Sequence, residues 1–580
     1  MKGRDAEPQR VWRALAENRA LGRFEALRSG ATPLVGREEE IELLLRRWTR
    51  AKRSEGQVVL LAGEAGIGKS RLTAALIERV AGEPHTRLRY FCSRQHTDSA
   101  LHPIIGQMER AAGLAHNDTP QAKLDKLDAL LAATLTLKQD AALIAELLSL
   151  ANDGRYPVLD LAPEQRRQRT LEALIAQTEM LARQNPVLMI FEDAHWTDPT
   201  SLELFGRAVH RIVSLRVLLI VTFRPEFAPP WIGLPHVTAL TINRLAERDA
   251  GAIIDRIISS KFISASIRQD IIERTDGIPL FVEEMTKAVI EAESERAAER
   301  AAAAVPLPAV AVPASLHASL MARLDRLGPA KEVAQIGAAI GREFLHPVLA
   351  AVTRLPEAEL GSTLDRLVAA GLLFRQGMPP QASYLFKHAL VQDAAYQSLL
   401  RSKRQELHGR IADVLEERFA EMVETQPELL GHHLAQAGRT KPAIDYLQKA
   451  GQRAIQRSAN AEAIGHLQAA LELVQLIPET PERTRMALEL QVLLSQAMIA
   501  ALGYAAAETR AVLLRAKALI DESTEQSQKF SVLYGIWACY YVGGEVTMQQ
   551  TAAEEFLAEA ERHGDTAAIC LSIARSARPM

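Results

Sequence analysis

Leu60-Leu61-Ala62-Gly63-Glu64-Ala65-Gly66-Ile67-Gly68-Lys69-Ser70 is the stretch whose reading decides the fold. The apolar run Val58 to Leu61 before the glycines reads as a short buried strand, and Arg71 to Ala81 continues as an apolar-periodic helix. Gly63 to Ser70 fits G-x-x-x-x-G-K-S in the strand–loop–helix context that a phosphate-binding loop requires. Glycines let such a loop wrap closely, so that backbone N–H groups and the helix N-terminus face a phosphate chain. The candidate nucleotide-binding set here is Gly63, Glu64, Ala65, Gly66, Ile67, Gly68, Lys69, Ser70 and Arg71. Within it Lys69 is placed to reach the β- and γ-phosphates, and Ser70 to hold Mg²⁺.

Further along, Val187-Leu188-Met189-Ile190-Phe191 ends in Glu192-Asp193. Apolar residues closing on paired acids describe a buried parallel strand with carboxylates at its C-terminal tip, where open α/β sheets place their ligands. One acid can bind Mg²⁺ while its neighbour orients or deprotonates the attacking water. Glu192 takes the metal role and Asp193 the water role in this reading, with the order of the two open. Trp196 reads as a packed neighbour without chemistry. Val217 to Phe223 is a third such strand, and Arg224 at its tip either senses the γ-phosphate or marks the strand's solvent end.

Upstream, Val35-Gly36-Arg37 precedes a helix with Ile41, Leu44, Leu45 and Trp48 on one face. A turn so placed can pack Val35 and Gly36 against a nucleotide's base and sugar. The competing reading is an ordinary helix start with acids in its first turn. Cys92, His96 and His102 follow a strand at 86–92, but their spacing matches no zinc pattern and a fourth ligand is missing.

The 580 residues suggest roughly three or four domains. Their composition, 48% apolar and 24% charged, is that of a globular chain. A formal charge of −3 gives no whole-chain reason to expect nucleic acid or an anionic membrane. Cys92, Cys539 and Cys570 make no disulfide framework, no unbroken apolar run looks long enough to span a bilayer, and no signal peptide opens the chain. A cytoplasmic location is expected.

The organisation reads as an arm (1–30), an α/β P-loop ATPase domain on a parallel sheet (31–235) and a helical lid (236–300). A linker (301–313), a winged-helix-like domain (314–402) and an all-α array of tetratricopeptide-like repeats (403–580) follow. The linker rests on the Ala-, Glu- and Arg-rich run 291–313 with Pro306, Pro308 and Pro313. Three helices, the last near Glu357–Ala370, then a hairpin of Leu372–Arg375 and Tyr384–Lys387 suggest the winged helix. Its recognition helix sets Glu357, Glu359 and Asp365 against Arg366 alone, which phosphates would repel, so DNA is not expected there. Ala443-Ile444…Leu447-Gln448…Ala450 recurs as Ala463-Ile464…Leu467-Gln468…Ala470, the mark of successive hairpin helices. His432 and His433, adjacent on a helix, are expected to point to different sides. The end at Ser576–Met580, without a polar capping helix, reads as an incomplete array.

Together, Leu34-Val35-Gly36-Arg37-Glu38, Gly63–Ser70, Phe191-Glu192-Asp193-Ala194-His195-Trp196-Thr197-Asp198, Thr222-Phe223-Arg224 and Gly277-Ile278-Pro279-Leu280 carry a resemblance to the STAND class of AAA-related ATPases. More narrowly, the chain resembles the ATPase and helical-repeat half of bacterial class III adenylate/guanylate cyclases. Arg23-Phe24-Glu25-Ala26-Leu27 is similar to that group's linker, and Phe386 to Tyr396 to its winged-helix segment. The resemblance implies a signalling switch that holds ATP and Mg²⁺ between the nucleotide domain and the winged helix, hydrolyses slowly, and toggles between closed and open forms. It adds Pro279 and His388 to the nucleotide-binding set, a core histidine being the competing reading of His388. It also implies a protein partner or signal at the repeats, a cyclase domain in cis or trans, and a nucleotide-dependent oligomer, with no membrane. No segment before residue 30 is large enough for a cyclase domain, so no cyclase active site is expected in this chain. The alternatives are a LuxR-type regulator or an origin-recognition-like loader, both acting on DNA.

Overall fold

Apolar runs interleaved with helical periodicity build a five-stranded parallel sheet in a computed structural model that describes residues 34–115, 118–134, 136–258, 263–302, 315–522 and 524–563. The arm 1–30, most of the 301–313 linker, Cys570 and Ser576–Met580 lie outside the described residues. The strands are β1 (Gln57–Ala62), β2 (Thr86–Phe91), β3 (Val187–Glu192), β4 (Val217–Phe223) and β5 (Val237–Thr241), in the order β2-β3-β4-β1-β5. Because residues alternate across a strand, Val58, Leu60, Met189, Phe191, Leu219 and Val221 pack against one helical layer. Val59, Leu61, Leu188, Ile190, Leu218 and Ile220 pack on the other face, with Leu44 and Trp48 of α1 (Glu38–Ala51) and Leu72 and Leu76 of α2 (Lys69–Val80). Burial on both faces is why these strands read as unbroken apolar runs. β5 was invisible to that signal because its residues are only partly buried at the sheet edge.

Parallel pairing gathers the C-terminal ends of β1, β3 and β4 at one edge, and with them the phosphate loop, Asp193 and Arg224. Helices Glu247–Ile258, Ala265–Thr275 and Pro279–Ala302 form a small core of their own beside that edge. The last of them runs through residues 291–302, so the helix replaces the first half of the stretch read as linker.

The following region departs from the three-helix expectation. It has four helices, Leu316–Arg326, Ala330–Ile340, His346–Thr353 and Glu357–Ala369, and a third strand, β6 (Glu343–Leu345). β6 joins β7 (Leu373–Gln376) and β8 (Ser383–Phe386) in an antiparallel sheet of order β6-β8-β7. A strand this short, running straight into a helix at His346-Pro347, carries no readable period.

From Arg401 onward helices stack on their neighbours. The twenty-residue recurrence falls on consecutive helices, Thr440–Gln456 and Asn460–Val474, whose Ala443, Leu447, Ala463 and Leu467 are all buried. Among the described residues Pro481–Leu502 is long and apolar enough to cross a membrane, although Leu488, Leu490, Leu494 and Ala497 are buried against neighbouring helices. His432 and His433 face different surroundings, as expected, His433 being buried and His432 exposed, although both rings come near His408, with centroids 5.1 and 5.9 Å away. The array also folds back on the ATPase sheet's helices, where Glu462 Oε1 accepts from the Thr200 N–H at 2.9 Å and Ser99 Oγ donates to Glu428 at 2.8 Å.

Candidate nucleotide site

The loop leaves β1 at Gly63 and enters α2 at Lys69, with Gly66 at φ +81° and Gly68 at φ +102°. Only glycine takes such angles without strain. At Gly66 a side chain would also meet Leu280, whose Cβ lies 3.0 Å from the position a Cβ would take. The Leu280 N–H donates to the Gly66 carbonyl at 3.2 Å, so the helix starting at Pro279 closes on the loop directly.

Buried Lys69 donates to the carbonyls of Gly63 at 2.5 Å and Glu64 at 2.9 Å. Burial pushes its ammonium down to about 8, against the pull of Asp193 upward. Ser70 Oγ lies 3.4 Å from Glu192 Oε2. Two such oxygens suit a hard divalent cation, and the glycine-lined cradle with its buried ammonium suits a phosphate chain.

Both acids carry arginine partners that sequence reasoning missed. Glu192, fully buried, pairs with Arg89 of β2. Asp193 Oδ2 accepts from Arg342 Nη1 at 2.8 Å, and Arg342 belongs to the turn between Ala330–Ile340 and β6. Asp193 itself holds φ +57°, with its N–H donated to Thr222 Oγ1 at 3.1 Å. Trp196 packs against the core of the sheet, as expected of a packed neighbour, and its ring also lines the cavity, with the guanidinium of Arg224 5.0 Å from its centroid and that of Arg342 5.9 Å away. His195 lies tilted against Trp196, with ring centroids 4.3 Å apart, and burial pushes its imidazole down to about 4.

One cavity brings together most of the sequence-predicted residues. Val35, Ala65 to Arg71, Asp193, Arg224, Pro279 and His388 all line it, joined by Arg37, Arg342 and Lys387. Gly63 and Glu64 meet Lys69 through their carbonyls behind the cavity wall, and the Glu64 side chain pairs outward with Arg244. Gly36, at φ +63°, faces Asp249 rather than the cavity. Glu192 sits one layer deeper, reachable past Ser70. His96 and His102 stack at 3.7 Å as half-buried rings, and desolvation lowers the pKa of both.

Residues 33–221 match the family described as AAA ATPase domain. An uncharacterized protein of Rhizobium meliloti (strain 1021) is 29% identical over 548 residues, which cover 92% of this chain and 52% of that protein. The chain thus spans about half the length of this curated relative. Among solved structures, the STAND protein with a tetratricopeptide repeat sensor from Pyrococcus horikoshii is 12% identical, with 94% of this chain and 79% of that one covered at TM-score 0.39. The Drosophila origin recognition complex bound to DNA is 12% identical, covering 68% and 96% at TM-score 0.29. The Thermotoga maritima RuvB branch migration motor is 15% identical, covering 60% and 92% at TM-score 0.25. Residues 33–221 are therefore similar to an AAA ATPase domain, built here on a parallel sheet, and a mostly helical region follows.

Proposed function

We propose that this chain is an ATP-binding signalling switch of the STAND kind, with slow Mg²⁺-dependent hydrolysis and a closed form held by its own C-terminal modules. The observation that carries the reading is the shared cavity. Loop residues Ala65 to Arg71, Pro279 of the lid and His388 of the region after β8 line a single space, bridged by the Arg342–Asp193 ion pair. A nucleotide there would touch every module that has to move.

In this reading the loop amides and Lys69 bind the phosphates. Ser70 and Glu192 would hold Mg²⁺, which supplies charge neutralisation on those phosphates when bound. Asp193 positions the attacking water, and Arg342 occupies its carboxylate in the closed form, which accounts for slow turnover. Arg224 and His388 face the phosphates from β4 and from the four-helix, three-stranded unit, read here as a winged helix acting as a lever. The repeats receive the partner or signal, and a class III cyclase domain in cis or trans is the proposed output, in a cytoplasmic setting. A nucleotide-dependent oligomer fits the same scheme. Helix Glu357–Ala369, with Glu357, Glu359 and Asp365 against Arg366, argues against the origin-loader reading.

The deciding experiment is calorimetry of ATP and ADP on the purified chain and on Lys69→Ala. Binding by the parent with at least a hundredfold loss in the folded variant is expected. Equal affinity in both would remove the site.

A further inference from the structure

Beside the nucleotide site lies a second cavity, of about 290 Å³, at the junction of the ATPase sheet's edge, the three-stranded sheet and the first repeat helices. Its walls are mostly apolar, with Phe91, Phe344, Leu385, Leu415, Met422 and Leu429 among them. Two polar groups on the wall are incompletely matched by protein. Arg110 donates to the Arg89 carbonyl at 3.3 Å and lies 5.1 Å from the Phe91 ring centroid, yet no carboxylate among the described residues forms an ion pair with it. Glu343, which lines the same wall, and Glu109 attract it through space, but neither forms an ion pair with it among the described residues. A cation held in a largely apolar wall without a counterion is costly, and an arginine fork matches a carboxylate.

The second group is His433. It is fully buried, its Nδ1 lies 2.8 Å from His408 Nδ1, and its Nε2 has no hydrogen-bond partner. Burial lowers the pKa of both rings, His408 to about 4, so each is neutral near pH 7 and Nε2 offers a hydrogen bond rather than a charge.

We propose that this cavity is an effector site for a small organic carboxylate with a compact apolar body, its carboxylate on Arg110 and its body against Phe344, Leu385 and Leu429. A cavity of about 150 Å³ holds benzene, so the volume here suits roughly ten to twelve non-hydrogen atoms. Arg342 lines both cavities and holds Asp193, so an occupant presses on the bridge that keeps the nucleotide site closed. That coupling rests on the nucleotide reading above; binding itself does not.

The test is calorimetry on the full chain without nucleotide, using octanoate, octan-1-ol and octylamine as probes. Octanoate is expected to bind at least tenfold more tightly than either of the others. Arg110→Gln should erase that preference, Arg110→Lys should keep part of it, and Leu429→Trp, folded by circular dichroism, should abolish binding of all three. Octylamine or octan-1-ol binding as tightly as octanoate overturns the proposal, as does a preference that survives Arg110→Gln. The three-probe comparison on the parent protein decides the matter even where a variant fails to fold. A chain that selects octanoate but binds no ATP would sink the nucleotide reading and leave this inference standing.

Discussion

Arg342 Nη1 sits 2.8 Å from Asp193 Oδ2, joining the acid at the tip of β3 to a turn 149 residues later in the chain. Both side chains are largely shielded from solvent, so the pair is more than a surface contact. It ties the ATPase sheet to the four-helix unit beside the cavity that holds Lys69 and Ser70, where the proposed reading puts a nucleotide's phosphates.

Cutting that tie should loosen the closed form. A hydrogen bond between charged groups contributes about 1.5–3 kcal/mol, and each 1.4 kcal/mol is about tenfold in an equilibrium. Arg342→Ala is expected to speed release of a fluorescent ADP analogue by about tenfold, measured by stopped flow. An unchanged release rate would show that the bridge does not gate the site.

Lys69 should make phosphate affinity depend on pH if it binds as proposed. Its pKa in the free protein is about 8, well below an ordinary lysine, so the ammonium begins to lose its proton as pH rises through 8. A bound phosphate chain favours the charged form and raises that pKa, so binding takes up a proton above pH 8. Nucleotide affinity should fall by several-fold between pH 7.5 and about 9.5 in the parent and stay flat in Lys69→Met; identical slopes in titrations of the two proteins would contradict the assignment.

Glu192 is fully buried and leans on Arg89. Removing one partner of a buried pair leaves an uncompensated charge, at a cost of about 3–5 kcal/mol, whereas replacing both is far milder. Urea unfolding should therefore find Arg89→Met much less stable than the double variant Arg89→Met/Glu192→Gln. Additive losses would mean that the pair is not coupled.

Asp198 caps helix Pro199–Arg211 through the Ser201 N–H at 2.7 Å and also accepts from the Leu101 N–H. Burial pushes its carboxyl up to about 7, and the nearby Glu462 adds to the rise. A raised carboxyl pKa means the folded chain holds a proton that the unfolded chain has released. Stability from this group is thus fully present below about pH 4 and is lost as pH rises through 7. Between pH 6 and 8 the parent should lose about 1 kcal/mol relative to Asp198→Asn, read from urea midpoints at each pH. Parallel profiles would place the proton elsewhere.

The sequence alone determined what is local. The strand, glycine loop and helix around Lys69 are contiguous, and their backbone demands are written in residue type, so Gly63 to Arg71 and the acids ending β3 were legible before any fold was seen. Buried strands were legible too, because burial on both faces leaves no polar positions. Edge strand β5 and the three-residue β6 were not, since partial burial and short length erase the period. Only the tertiary structure decided that Arg89 neutralises Glu192, that Arg342 reaches Asp193, and that Trp196 stands in the cavity wall beneath Arg224. Those partners lie far apart in sequence. An ion pair across such a distance leaves no trace in local pattern, because what sets it is how separately folded layers come to rest on one another.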